Sequence, residues 1–150
     1  MEKELKESKE LKEMLVKHGV VLAYLFGSRA KGTARASSDV DIAVLLPYDT
    51  PRAKFFDVRL ALTNELMDLL HKNEVDVVVL NEATPLLARE ILSAGKILYE
   101  DAVTRPALEF VVFVAKRYAD TKKFRQMSLD SVRHTVQQIK SRQSLALGER

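Results

Sequence analysis

Cysteine and tryptophan are both absent from this 150-residue chain, and glycine (5) and proline (4) are scarce. Without cysteine there is no disulfide framework, no thiolate nucleophile and no Cys-ligated zinc. Long hydrophobic runs are also missing. The longest apolar stretches, VVLAYLF and FVVFVA, fall far short of the roughly 20 residues that cross a bilayer. The opening MEKELKESKELKEM carries charge and no apolar signal core. Charge of one sign is lacking as well, since 24 basic residues nearly balance 21 acidic ones. An apolar fraction of 47% excludes wholesale disorder. The expectation is a cytoplasmic domain with a real core and no membrane association.

The charge is unevenly placed. Residues 1–100 carry 14 basic and 16 acidic side chains, whereas residues 101–150 carry 10 and 5. The surplus is therefore C-terminal. It comes without interleaved stacking aromatics or a recognised motif, which points away from nucleic acid.

Lys and Glu alternate at helical spacing over 2–17, with Leu5, Leu11, Met14 and Leu15 near one face, which predicts a largely solvated helix. VVLAYLF at 20–26 reads as a strand buried on both faces. The small, basic stretch GSRAKGTARASSD must then be a loop or a short helix leaving the strand end. DVDIAVLL at 39–46 is a second strand, stopped by Pro47. Thr50 and Pro51 predict a helix start, with the helix running to about 71 on a stripe of Phe55, Val58, Leu62, Leu66 and Leu69. EVDVVVL at 74–80 is a third strand, Thr84 and Pro85 open a helix that ends at Gly95, and KILYE at 96–100 is a fourth strand. From Thr104 and Pro106 onward the chain is helical, and its first half, ALEFVVFVAKRY, is apolar nearly all round. Such a helix must bury more than one face, against the domain, a second helix or a partner. The element order predicts an α/β (α+β) domain with a small mixed sheet flanked by helices.

The chemistry concentrates at 27–41 and at 76. Asp39 and Asp41 stand two apart on a strand, so their side chains share a face. Paired carboxylates repel unless a cation lies between them, and hard oxygen ligands suit Mg²⁺ or Mn²⁺. Asp76 interrupts an apolar strand, where a carboxylate is costly without a charged or hydrogen-bonded purpose. If these strands neighbour each other, the three carboxylates converge. Gly27 allows close backbone approach, and amides at a helix start favour an anion. Ser28 adds a hydroxyl and Arg29 a positive charge suited to phosphate; Lys31 and Arg35 are left open. Metal-binding carboxylates beside a phosphate cradle are what two-metal nucleotidyl transfer needs. His18, His71 and His134 fall near helix ends or on a polar face, in no ligand pairing.

Gly27, Ser28, ten residues, then Asp39-Val40-Asp41 match the G-S-x10-D-x-D signature, and on residues 15–100 the chain resembles the minimal nucleotidyltransferases of the DNA polymerase beta-like superfamily. The resemblance implies a small mixed sheet flanked by helices, a bound Mg-nucleoside triphosphate, taken as ATP for the antitoxin-like members, and transfer of a nucleoside monophosphate. It implies that Asp39 and Asp41 bind two Mg²⁺ ions, with Mn²⁺ as an alternative. The family's third carboxylate falls on Asp76, which would bind the catalytic metal and orient or activate the acceptor. Gly27 and Ser28 would hold the triphosphate. Residues 1–100 would then be the nucleotidyltransferase domain and 101–150 a helical extension that docks a partner.

Stand-alone domains of this kind resemble the antitoxins of HEPN-domain toxins, which they silence by transferring AMP to a tyrosine. A HEPN toxin is accordingly the expected partner, met through the C-terminal helices; self-association is left open. Two alternatives stand beside it: a non-catalytic module that neutralises its partner by binding, with Phe110 or Phe113 in the interface, and nucleotidylation of a small molecule or an RNA end.

Overall fold

A computed structural model describes residues 1–35 and 38–148, with side chains through Arg142. Two compact units divide the chain, Met1–Ala115 and Lys116–Arg150. The first holds a four-stranded mixed sheet in the order β3-β2-β1-β4, built from β1 (Leu22–Phe26), β2 (Val40–Leu45), β3 (Val75–Val79) and β4 (Lys96–Glu100). β1 runs antiparallel to both β2 and β4, and β2 runs parallel to β3.

The helices are α1 (Glu2–Glu7), α2 (Lys9–Lys17), α3 (Gly27–Ala30), α4 (Lys54–Leu70), α5 (Pro85–Ala94), α6 (Ala107–Asp120) and α7 (Lys122–Gly148). The expected single helix over 2–17 is split at Ser8, whose backbone is extended and whose hydroxyl accepts from the Leu11 amide at 3.1 Å. An internal serine that caps its own downstream turn competes with the helix it interrupts. The start of α4 also differs from expectation: Pro51 lies in a turn, its carbonyl bonded to Lys54 N–H at 2.9 Å, and the helix begins three residues later. Thr84 does cap α5, accepting from the Leu87 amide at 3.3 Å, with Pro85 at the first helical position. Such a cap contributes about 1 kcal/mol.

Period-2 alternation sorts the strand side chains into two cores. Ala23, Leu25, Ile42, Val44 and Val77 pack against Leu11, Leu15, Leu62 and Leu66 of α2 and α4. Leu22, Tyr24, Ala43 and Leu45 pack on the other face against Ile91 of α5 and Phe110 and Val114 of α6. Both central strands are thus buried on both faces, which is why they read as unbroken apolar runs. Burial and the charge of Glu100 push the Tyr24 hydroxyl up to about 12, in keeping with a core tyrosine.

α6 supplies one correction. Phe110 is 1% exposed and belongs to the second core, so it is no interface residue, whereas Phe113 is 41% exposed. The ring of Phe113 meets Tyr48 edge-on, with centroids 6.2 Å apart. Leu108, Val111 and Val112 are exposed as well, so α6 buries one stripe of its nearly uniform apolar surface within this chain.

In the second unit, the turn between α6 and α7 is pinned by Arg125. Its guanidinium stacks 3.7 Å above the Tyr118 ring and donates to the Tyr118 carbonyl at 3.0 Å. Phe124, Met127, Leu129, Val132, Val136 and Ile139 of α7 are all exposed. Among the described residues no helix is long and apolar enough to cross a membrane.

Candidate active site

The parity that fills the second core also places the carboxylates. Asp41 shares the face of Ala43 and Leu45, and Asp76 that of Val78. The parallel register sets Asp41 directly beside Asp76. Asp39 is exposed just before β2, and Asp76 is exposed on β3, an edge strand. Asp41 is half-buried between them. Its carboxyl lies above the usual carboxylate range, first because burial disfavours the charge, then because Asp76 and Asp39 repel it; Arg29 pulls weakly the other way.

On the other side of Asp41 stands β1, with Phe26 as its register partner. β1 ends at Gly27, where the chain turns into α3 with φ +70°. A Cβ built on Gly27 would overlap Asp41 Oδ2. Glycine is therefore required twice over, for a left-handed backbone and for contact with a carboxylate. The first amides of α3 have no preceding turn to bond to. The Ser28 carbonyl anchors the loop by accepting from Thr33 N–H at 3.0 Å.

Arg29 does something the sequence did not suggest. Its Nη2 donates to the Ser38 carbonyl at 2.6 Å and its Nε to the Asp39 carbonyl at 3.1 Å. One guanidinium fork thus ties α3 to the backbone that presents Asp39. Two further residues escaped sequence reading. Glu74 bonds the Asp39 carboxyl and its own acidity is weakened, first by that hydrogen bond and then by the charge of Asp39. The signal was present, because Glu74 precedes Asp76 by two as Asp39 precedes Asp41. Asn81 mimics a strand, accepting from Leu46 N–H at 2.9 Å and donating to the Leu46 carbonyl at 2.8 Å. That pair of bonds locks the chain after β3 to the end of β2 and so supports the Asp41–Asp76 register.

The donor set fits a divalent cation. A cation against Asp41 and Asp76 would relieve the repulsion that raises Asp41. Among the described residues no three side chains enclose a metal position by themselves. Mg²⁺ does not require that, since it commonly takes one or two carboxylates and completes its shell with water and substrate phosphates.

Carboxylates beside the turn at a helix start, on a small mixed sheet, are an arrangement suited to phosphoryl or nucleotidyl transfer. The family described as polymerase beta, nucleotidyltransferase matches residues 9–103, and the chain belongs to that family and is a nucleotidyltransferase. It is 30% identical over 144 residues to a protein adenylyltransferase MntA of Aphanizomenon flos-aquae, covering 85% of this chain and 91% of the relative. Among solved structures, a toxin-antitoxin with AMP-PNP superposes with TM-score 0.68 at 29% identity, covering 82% of this chain and 95% of the other. An MNT antitoxin in complex with a tri-AMPylated Shewanella oneidensis HEPN toxin superposes with TM-score 0.66 at 25% identity, covering 88% and 98%.

Proposed function

We propose that this chain transfers AMP from ATP to a hydroxyl of a HEPN-family toxin, on a tyrosine, and so acts as that toxin's antitoxin in the cytoplasm. The observation that carries the reading is the Asp41–Asp76 register pair set against Gly27. Its support from outside the chain is the likeness to a protein adenylyltransferase and to an antitoxin bound to its AMPylated toxin.

In this reading Gly27 and Ser28 hold the triphosphate with the free amides at the start of α3. Asp39, Asp41 and Asp76 hold two Mg²⁺ ions, or Mn²⁺ in their place, which would lower the pKa of the attacking hydroxyl and neutralise charge on the departing pyrophosphate. The acceptor oxygen bonds to the α-phosphorus while the bond from that phosphorus to the bridging oxygen of the β-phosphate breaks. Pyrophosphate leaves, and Asp76, exposed on the acceptor side, takes the hydroxyl proton. Arg29 keeps Asp39 in place through its two backbone carbonyls.

The C-terminal helices, residues 101–150, serve as the docking element. Leu129, Val132, Val136 and Ile139 are spaced 3, 4, 3 along α7 and are exposed, the pattern of a seam awaiting another helix. That row also favours a second reading, in which the chain silences its partner by binding alone.

The test mixes the protein, α-labelled ATP, Mg²⁺ and the HEPN protein encoded beside it. Label on the partner, lost with Asp41→Asn or on chelation of the metal, is the expected result. Full silencing by Asp41→Asn without any label would favour the binding-only reading. Absence of label together with absence of silencing would overturn both.

A further inference from the structure

β3 is the outer strand of the sheet beside the candidate carboxylates. Among the described residues it pairs with β2 alone, in parallel. The Val40 amide donates to the Glu74 carbonyl at 3.2 Å. In a parallel ladder both polar groups of a residue face the same way. Glu74, Asp76 and Val78 therefore turn their backbone groups toward β2, and Val75, Val77 and Val79 turn theirs outward. Exposed edges are usually blunted by proline, lysine or a covering element. Val75–Val79 contains neither residue, only Asp76 among valines, but Val77 and Val79 are each 2% exposed, so an occupant of this edge must displace what covers them.

An open groove of about 440 Å³ runs along this edge, with Asp76 to Val79 as its floor, Arg59 of α4 on one wall and Thr84 and Leu87 of α5 on the other. Five strand residues span roughly 16 Å, enough for a short extended peptide. The Arg59–Glu82 ion pair across it, at 3.9 Å, is exposed on both partners and weak enough to part for an incoming backbone.

Position decides what occupies it. The sheet order sets Gly27 and Asp76 on opposite sides of Asp41. Attacking and leaving oxygens lie roughly in line in phosphoryl transfer. With pyrophosphate held at Gly27, the acceptor must arrive from the side of Asp76, where the groove begins.

We propose that the acceptor protein docks a segment in extended form onto the outer edge of β3, adding a fifth strand whose backbone pairs with Val77 and Val79 and whose hydroxyl is delivered to Asp76. The inference rests on the reading above that the acceptor is a protein. Main-chain pairing would fix the segment's depth and direction while leaving its side chains largely unread, so several hydroxyls within one segment could be presented in turn by register slippage.

The test is hydrogen exchange on the full chain with the neighbouring HEPN protein, in Mg²⁺ and an ATP analogue carrying a methylene bridge between the α- and β-phosphates, which blocks transfer. The Val77 and Val79 amides are expected to slow at least about tenfold on adding the partner. Glu82→Trp, which fills the groove, is expected to raise the acceptor KM about tenfold with the affinity for Mg-ATP unmoved. Transfer from ATP that proceeds while both amides exchange as in the free protein would overturn the edge and leave the transferase intact. Protection that rises with protein concentration and no partner would overturn it in favour of a second copy of this chain. Protection by a partner that never receives AMP would overturn the acceptor role, and the missing label separates that failure from the others.

Discussion

Gly27 lies against Asp41 so closely that its missing Cβ is occupied by the carboxylate oxygen Oδ2. A methyl group there would have to displace the very side chain that pairs with Asp76, and would do so from a φ of +70°. Gly27→Ala is expected to cost about 1–2 kcal/mol in backbone strain alone. Misplacing a reacting group by an ångström can cost about a hundredfold in rate, so nucleotidyl transfer should fall by at least that factor. A thermal melt and an initial-rate assay check both; a variant with wild-type rate would contradict the contact.

Asp41→Asn should separate stability from activity. Burial and the charges of Asp76 and Asp39 hold the Asp41 carboxyl above its ordinary range. The native state therefore binds more protons than the unfolded chain between the unfolded value, about 3.9, and the raised native one. Stability of the metal-free protein is lost as pH rises through that window. Removing the charge should raise the metal-free melting temperature at neutral pH and abolish transfer. A lower melting temperature would show that the carboxylate has a stabilising partner instead.

Nucleotide affinity should depend steeply on divalent metal. Asp39, Asp41 and Asp76 share one region of surface, and unscreened carboxylates repel a triphosphate. Calorimetry in Mg²⁺ and in chelator is expected to give affinities at least about a hundredfold apart, some 2.7 kcal/mol. Equal affinities would remove the carboxylates from the nucleotide site.

Arg29 offers a different signature from a phosphate ligand. Its fork holds the carbonyls of Ser38 and Asp39, a bidentate grip that lysine cannot reproduce. Arg29→Lys keeps the charge, so ATP affinity should stay within about threefold while kcat falls about tenfold or more. Faster amide exchange at Asp39 and Val40 should accompany the loss. A rise in the ATP dissociation constant with unchanged kcat would return Arg29 to the phosphates.

Away from the site, Glu65 of α4 accepts from His18 at 2.9 Å and from Lys17 at 3.2 Å, tying the end of α2 to α4. The hydrogen bond from His18, more than any charge, holds the Glu65 carboxyl below its usual range. A depressed carboxylate stabilises the fold above its unfolded value, about 4.3, and that contribution is lost as pH falls through the native value. His18→Ala should therefore melt below the wild type near neutral pH and converge with it in acid. Parallel melting curves at every pH would contradict this linkage.

Much of the site was written along the chain because strand alternation is local. Asp41 must share a face with Ala43 and Leu45 whatever the strand packs against, although Asp39, expected on the same strand, falls just before it, and the G-S-x10-D-x-D spacing names its family without coordinates. The composition likewise settled that no thiol chemistry is available. Other features depended on neighbours that sequence spacing cannot specify. That Asp76 would stand at the same register as Asp41 follows from the parallel pairing of β2 with β3, which Asn81 helps to lock. The split at Ser8 and the late start of α4 were local contests that turn and cap geometry won over helical periodicity.

The C-terminal helices mark the division most clearly. The sequence by itself determined that α6 is apolar nearly all round, since that is a property of residue order on a 3.6-residue period. Only the tertiary structure decided which side is core, sending Phe110 inward and Phe113 outward. Likewise the sequence marked out the candidate carboxylates and glycine, whereas the order β3-β2-β1-β4 decided that Gly27 and Asp76 flank Asp41 and that β3 lies at the edge of the sheet. Residue type and spacing fix what a side chain can do. Which groups meet is set by how strands pair across the chain, a long-range choice that no local pattern encodes.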